Sequence, residues 1–121
     1  MLFTYYMSIG QIVSSASIIG KSIRIENLVV AQNDFSNEMN WGDAKKACAK
    51  LGKGWRLPTK DELNTLYLNK DKIGGFADTI YWSSSEHDYY IDTVWFQYFS
   101  DGAQDDYGEL GTGYVRAVRT F

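Results

Sequence analysis

Few residues of this chain could carry out catalysis. It has one cysteine, Cys48, and one histidine, His87, so the sequence excludes an internal disulfide framework and a cysteine-rich zinc site. It also lacks a nucleophile elbow, a paired-histidine metalloprotease motif and a glycine-rich loop that could cradle phosphate. We therefore expect a binding protein with no catalytic residues, metal or cofactor, and we interpret Cys48 as a small buried hydrophobe.

The residues best suited to binding lie towards the C-terminus. Tyrosines recur between residues 87 and 114 among Asp, Ser, Gly and Thr, the mixture that antibody paratopes use. Tyrosine supplies a large contact area at small entropic cost, and the aspartates favour cationic or hydroxyl-bearing groups. The predicted ligand-binding residues are His87, Asp88, Tyr89, Tyr90, Ile91, Tyr98, Ser100, Asp101, Asp105, Asp106, Tyr107 and Tyr114.

Charge is distributed unevenly along the chain. Residues 1–72 carry a net charge of +3, whereas residues 73–115 carry −8 and contain no Lys or Arg. Because this acidic, tyrosine-rich stretch would repel a phosphate backbone, nucleic acid is not an expected partner. A protein or glycan ligand fits the composition better.

Two helices are predicted ahead of this stretch. Asn40 is a suitable N-cap for a helix from Trp41 to about Leu51, and Thr59 with Glu62 forms a capping box at the start of a second helix. Trp41, Ala44, Cys48 and Leu51 fall on one face of the first helix, and Leu63, Leu66 and Tyr67 fall on one face of the second.

Strands are predicted on both sides of the helices. The β-branched stretch 23–30 indicates two short strands with a turn at Glu26 and Asn27. Beyond Gly74, strands are expected at residues 80–84, 93–99 and 114–119, separated by polar loops. Helices followed by a run of strands are typical of an α+β fold.

The first twenty residues are harder to interpret. They are largely apolar or small, but the first cation is Lys21, so they lack the basic start of an export signal. They are also too short and too polar to span a membrane. We expect residues 1–20 to form strands or an arm that packs against a partner subunit in a homo-oligomer; a degenerate export signal is the alternative. Residues 21–121 would form the domain.

The motifs of this domain resemble a known family. They are MNWGDAKKACAKLG, GWRLPTKDEL, GGF, YWSSSE, VW and the terminal VRAVR. Together they are similar to the C-terminal domain of the Legionella collagen-like adhesin and its relatives, in the formylglycine-generating-enzyme branch of the C-type lectin fold. The resemblance implies a C-type-lectin-like fold, with two helices packed on a twisted, mainly antiparallel sheet. A formylglycine-generating enzyme is expected to use paired cysteines, so the resemblance implies ligand display without catalysis.

The same fold is used by the variable proteins of diversity-generating retroelements. Those systems mutate adenines, so diversified Asn codons cannot become Lys, Gln, Glu, Met or Trp. The predicted binding residues between positions 87 and 114 are all reachable by such mutation. The exceptions in this window, which on this hypothesis are either fixed scaffold residues or derived from other codons, are Trp95, Gln97, Gln104 and Glu109.

Two further functions are open from the sequence. One is a structural subunit of a virion or cell-surface assembly. The other is a calcium-dependent glycan lectin, whose ligands would be Asp101, Asp105, Asp106 and Glu109. The Glu-Pro-Asn loop of calcium lectins is missing, so we expect these carboxylates to be solvated. In each case the protein would act outside the cell, at its surface or on a virion.

The remaining tryptophans and arginines have structural interpretations. We expect Trp55, Trp82 and Trp95 to lie in the core. We expect Arg56, Arg116 and Arg119 to pair with carboxylates such as Glu62 or Glu86, or to lie over aromatic rings.

Overall fold

The first described elements are two paired strands. The structure, a computed structural model, describes the backbone of residues 5–8 and 11–13 and the complete residues 14–121. Strands β1 (Tyr5–Ser8) and β2 (Gln11–Ser14) pair antiparallel, and the short helix α1 (Ser15–Ile19) follows. The sequence did not predict α1. The predicted arm or signal also covers residues 1–4 and 9–10, which lie outside the described residues.

The two ends of the domain meet in a three-stranded sheet. Its strands are β3 (Ile23–Ile25), β4 (Leu28–Val30) and β8 (Val118–Thr120), in that order and antiparallel. The predicted turn between β3 and β4 is confirmed, and Glu26 adopts a φ of 54° there. All three residues of β4 are buried, as expected for a short continuous apolar run in the middle of a sheet.

Both predicted helices are confirmed. The helices of the domain are α2 (Trp41–Ala49), α3 (Lys60–Leu68) and α4 (Lys70–Ile73), of which the sequence did not predict α4. The Asn40 side chain caps α2 by accepting a hydrogen bond from the Asp43 backbone N–H at 2.9 Å. Thr59 and Glu62 make the full capping box, each side chain accepting from the other's backbone N–H. These caps fix where each helix begins.

A second three-stranded sheet carries most of the predicted binding residues. Its strands are β5 (Ile80–Glu86), β6 (Thr93–Tyr98) and β7 (Gln104–Gly108), all antiparallel. The prediction of a loop at β7 was wrong. Residues 104–108 are polar because β7 is an edge strand that is covered on one side only. The predicted strand at 114–119 was too long, since Tyr114 makes only an isolated bridge to Tyr81 and β8 starts at Val118.

The core consists of two apolar clusters. The first joins the buried face of α2 to the second sheet and contains Trp41, Ala44, Cys48, Leu51, Trp82, Val94 and Phe96. The second joins α3 to the first sheet and contains Leu28, Val30, Leu63, Leu66, Tyr81, Phe99 and Val118. Burial raises the pKa of Cys48 to about 12, which agrees with the interpretation of this thiol as an inert hydrophobe.

A buried charged group sits between the clusters. Arg116 is fully buried, and its Nε donates to Asp34 Oδ1 at 2.7 Å. The Tyr81 hydroxyl donates to Asp34 Oδ2 at 2.5 Å. Burial raises the pKa of Tyr81, and so does its bond to Asp34, so the phenol remains a donor. Arg116 thus pairs with a carboxylate, as predicted, and it also lies over the Phe76 ring at 4.1 Å; the carboxylate is Asp34, which the sequence did not single out.

The other arginines and two of the tryptophans behave as predicted. Arg56 pairs with Glu62 at 2.6 Å, and Arg119 lies over the ring of Trp55 at 5.7 Å. Trp55 and Trp82 are buried. The expectation that Trp95 is a core residue was wrong, because its side chain is only half-buried at the surface of the second sheet.

Candidate functional site

The second sheet has two differently packed faces. On one face, Gln97 is buried and donates to Asn64 of α3 at 2.9 Å, and Gln104 Nε2 donates to the Lys60 carbonyl at 2.9 Å. On the other face lie Trp82 and Phe96, whose rings belong to the first core cluster. Because strand residues alternate between faces, the predicted binding residues on β6 and β7 cannot all point the same way.

Tyr107 is packed on the sheet. Its ring stacks on Trp82 with a centroid distance of 5.4 Å and meets the edge of Phe96 at 5.6 Å. The ring also runs directly against the backbone of Gly111, where a Cβ atom would collide with it. Only 37 % of Tyr107 is exposed. This tyrosine therefore supports the loop that carries Gly111.

Tyr98 and Tyr114 are packed as well. The Tyr98 ring meets Phe96 edge-on at 5.1 Å, and the half-buried Tyr114 ring meets Tyr81 at 5.8 Å. Tyr81 belongs to the second core cluster, so Tyr114 is directed away from Tyr107 and its neighbours. Three of the predicted tyrosines thus make intramolecular ring contacts on the sheet.

Two loops meet at one end of the sheet, and we call them the tip: residues 86–92 and 109–111. The Glu109 backbone N–H donates to the Asp92 carbonyl at 3.1 Å, next to the last β6–β7 pair. The Glu109 carbonyl accepts from the Trp41 backbone N–H at 3.2 Å, which joins the tip to the start of α2. Asp92 closes the first loop with a φ of 61°, a conformation that Asp tolerates better than most residues.

The tip exposes large apolar side chains. The exposed fractions are 86 % for Tyr89, 62 % for Tyr90, 89 % for Ile91 and 91 % for Leu110. Sequence reasoning identified the first three and missed Leu110. The one sequence signal for Leu110 is that it is an aliphatic residue in an otherwise polar loop, between Gly108 and Gly111. Exposed apolar residues are ordinary when scattered, but four of them on two adjoining loops indicate an interaction surface.

His87 organises the first loop of the tip. Its backbone N–H donates to the Thr93 carbonyl at 3.0 Å, and its Nδ1 accepts from the Tyr89 backbone N–H at 3.1 Å. The imidazole stacks on Trp95 at 5.0 Å and lies 4.9 Å from the Tyr90 ring. His87 is therefore a support for the exposed Tyr89 and Tyr90, held in place by Trp95.

The remaining predicted residues lie away from the tip. Ser100 and Asp101 are in the β6–β7 turn, at the opposite end of the sheet, where the Asp101 carboxylate accepts from the Ala103 N–H at 2.9 Å. Asp105 and Asp106 lie along β7. The five steps of β6 span about 17 Å at roughly 3.3 Å per residue, so a small ligand at the tip would not reach the turn.

The acidic residues of the second sheet are spread out. Among the described residues, no group of three or more Asp, Glu, His or Cys side chains is arranged to hold a metal ion. Asp101, Asp105, Asp106 and Glu109 do not converge. Within the same described part of the chain, no helix combines the length and apolar character needed to cross a membrane.

Comparisons with known proteins agree with this architecture. Botrocetin matches with a TM-score of 0.62 at 13 % identity, covering 84 % of this chain and 98 % of botrocetin. A complex of botrocetin with a mutant von Willebrand factor A1 domain gives a TM-score of 0.59 at 13 % identity, with the same coverage. EMS16, an antagonist of the collagen receptor integrin α2β1, gives 0.60 at 14 % identity, covering 83 % of this chain and 97 % of EMS16.

These likenesses establish the predicted C-type-lectin-like α+β fold. A search of curated proteins finds no match to the sequence. Residues 22–119, however, match the Lcl C-terminal domain family over most of the chain, which confirms the resemblance inferred from the motifs. The chain belongs to the Lcl C-terminal domain family.

Proposed function

We propose that this protein is a non-catalytic binding domain whose contact surface is the tip. The observation that carries the proposal is the exposure of Tyr89, Tyr90, Ile91 and Leu110 on two hydrogen-bonded loops. Most other large apolar residues lie in the two core clusters, and Leu68 and Phe121, which are also exposed, do not belong to the tip. Rigid aromatic side chains on an anchored loop bind with little loss of conformational entropy.

The nature of the structural neighbours supports a protein ligand. Botrocetin is found in complex with a von Willebrand factor A1 domain, and EMS16 is described as an integrin antagonist. At 13–14 % identity they share only the fold with this chain, so their partners are not transferred to it. We also propose that the domain works at a cell surface, on a virion or outside the cell.

The other predicted residues differ in their roles in this proposal. Asp88 belongs to the tip, whereas Asp105 and Asp106 are successive residues of β7 and lie on opposite faces of the sheet. Tyr98, Tyr107 and Tyr114 act as supports, because each packs against another ring. A large ligand that covers the whole sheet could still touch Ser100 and Asp101 at its far end.

A diversified version of the same function also has support. Three of the four residues that adenine mutation cannot produce, Trp95, Gln97 and Gln104, are partly or fully buried and packed towards α3, whereas the fourth, Glu109, lies in the tip. The residues it can produce include the exposed Tyr89 and Ile91. We would sequence the gene across its source population. Substitutions concentrated in the tip at adenine-bearing codons support diversification, and uniformly low variation overturns it.

An assembly role is the second candidate. Strands β1 and β2 pair only with each other among the described strands, and an isolated hairpin is rarely stable without packing. The hairpin lies before residue 22, where the match to the family begins. We propose that it packs against a second copy of the chain. Deletion of residues 1–14 should then turn an oligomer into a monomer in analytical ultracentrifugation, and an unchanged mass would contradict this.

The main proposal can be tested without a known ligand. A phage-displayed library of random peptides would be selected on the wild-type protein. Binding of the recovered peptides would then be measured on the tip variant Ile91→Ser/Leu110→Ser. The matched control is Leu68→Ser/Phe121→Ser, which removes two apolar side chains that are 72 % and 67 % exposed outside the tip.

We expect peptides to be recovered and to lose affinity for the tip variant by about tenfold or more, as for interface hot spots. The control variant should bind them as the wild type does. Recovery of no peptide above the level on an unrelated protein would contradict the proposal. Equal binding to the tip variant and the wild type would also contradict it.

A further inference from the structure

We infer that the partner of the tip is a protein with a cationic surface around an apolar pocket. This inference rests on the proposed function and specifies its ligand. It depends on the arrangement of charges around the four exposed side chains, and on the kind of side chain that the tip exposes.

The tip carries four carboxylates on its two loops. They are Glu86, Asp88, Asp92 and Glu109, and the tip contains no Lys or Arg. None of these carboxylates makes an ion pair with another described residue. No ion pair within the described part of the chain therefore competes with a partner for them, and like charges gathered on one surface attract the opposite charge.

Two lysines flank this acidic surface. The Lys60 ammonium lies 3.5 Å from the centroid of Trp95, and the Lys45 ammonium lies 3.7 Å from the centroid of Trp41. Both rings adjoin the tip, through His87 and through the backbone bond to Glu109. Each ammonium thus lies over the face of a tryptophan ring. Because the four carboxylates of the tip outnumber these two lysines, the charge of the surface is negative.

The apolar side chains distinguish a protein from a glycan. Sugars are bound by flat aromatic rings and hydrogen-bonding groups, which Tyr89 and Tyr90 supply, whereas Ile91 and Leu110 offer neither. Both are about nine-tenths exposed, so their burial would remove nearly the whole of two aliphatic side chains from water. Burying such a side chain contributes substantially only where the partner provides an apolar pocket. Charge and side-chain type together favour a basic protein.

The test compares two variants with the same change in net charge. Glu86→Gln/Asp88→Asn/Glu109→Gln neutralises the tip. Its matched control neutralises three exposed carboxylates elsewhere, in the β3–β4 turn, in α4 and before β5: Glu26→Gln/Asp71→Asn/Asp78→Asn. The probes are the peptides selected on the wild type, and a glycan array is screened in parallel.

We expect the selected peptides to be rich in Lys or Arg and to contain aliphatic or aromatic residues. They should bind the neutralised tip several-fold more weakly than the control, and their affinity should fall as salt is added. Tip-dependent peptides without cationic residues would overturn this inference and leave the proposed function standing. Binding to a glycan that is lost in the Ile91→Ser/Leu110→Ser variant would also overturn this inference and leave the proposed function standing. Peptides that bind regardless of the tip would overturn both.

Discussion

The tyrosines of the sheet and the side chains of the tip come from one stretch of similar composition but have different surroundings. Tyr107 is stacked on Trp82, and Tyr114 rests against Tyr81. Tyr89 and Ile91, by contrast, are almost fully exposed. Sheet tyrosines should therefore contribute to stability, and tip residues to binding. Composition identifies a stretch of the chain as a candidate surface, whereas packing decides which of its residues can contact a ligand.

The two regions are also mechanically linked. Tyr107 lies against Gly111, the last residue of the tip, and Trp95 of β6 supports His87 of the tip. The sheet thus holds the tip in one arrangement. A substitution in the sheet should reduce stability and also disturb binding, whereas a substitution of an exposed tip side chain such as Ile91 or Leu110 should reduce binding alone.

The largest expected effect comes from the buried network under the sheet tyrosines. Asp34→Ala removes the partner of both Arg116 and Tyr81, and leaves a buried guanidinium uncompensated. We expect it to lower the free energy of unfolding by about 3–5 kcal/mol in urea denaturation. Tyr81→Phe, which removes one hydroxyl, should cost about 1–2 kcal/mol. A tolerated Asp34→Ala would mean that this network does not hold the sheet.

The contact between Tyr107 and the tip can be broken from the tip side. In Gly111→Ala the new Cβ collides with the Tyr107 ring, so the ring must leave Trp82 or the loop must move. The expected cost is about 1–3 kcal/mol by thermal or urea unfolding. Gly108→Ala is the matched control, because a Cβ there meets no atom within 4 Å. Equal stabilities of the two variants would show that Tyr107 does not support the tip.

Acid should lower the stability of the fold through Glu62. Burial alone would raise the pKa of this carboxyl, but hydrogen bonds from Arg56 and Thr59 and the charge of Arg56 lower it overall. A lowered carboxyl pKa stabilises the fold above the pKa of the unfolded chain, and this contribution is lost as pH falls towards the folded-state pKa. The pair is partly exposed, so we expect about 1 kcal/mol or less. When the free energy of unfolding is plotted against pH, the curves of the wild type and Glu62→Gln should converge in acid. A constant difference between the two curves at every pH would contradict this.

An effect of similar size, but local to one loop, is expected at the tip itself. His87→Ala removes the acceptor of the Tyr89 N–H and the ring that stacks on Trp95. Hydrogen exchange of the Tyr89 amide should accelerate, with a loss of about 0.5–1.5 kcal/mol in unfolding free energy. Tyr90→Ala, which keeps that hydrogen bond, should leave the exchange unchanged. Fast exchange in the wild type would show that the bond does not order the loop.

Much of the scaffold was predictable because it depends on local rules. The caps at Asn40 and Thr59 and the turn at Glu26 follow from residue type and spacing alone. β7 could not be predicted in this way, because an edge strand is defined by the strand with which it pairs. The packing of the tyrosines could not be predicted either, because a ring contact depends on which side chains share a face of the sheet. Leu110 shows the same limit, since its exposure depends on the position of the other loop.

The most direct test of the account compares the stability of one sheet variant and one tip variant. Urea unfolding would be measured for Tyr107→Ala and for Ile91→Ser/Leu110→Ser, with alkylation of the buried Cys48 as an independent probe of opening. We predict that Tyr107→Ala loses about 2 kcal/mol and that the tip variant stays within about 0.5 kcal/mol of the wild type. A destabilised tip variant, or an unaffected Tyr107→Ala, would contradict the division of the surface into support and contact residues.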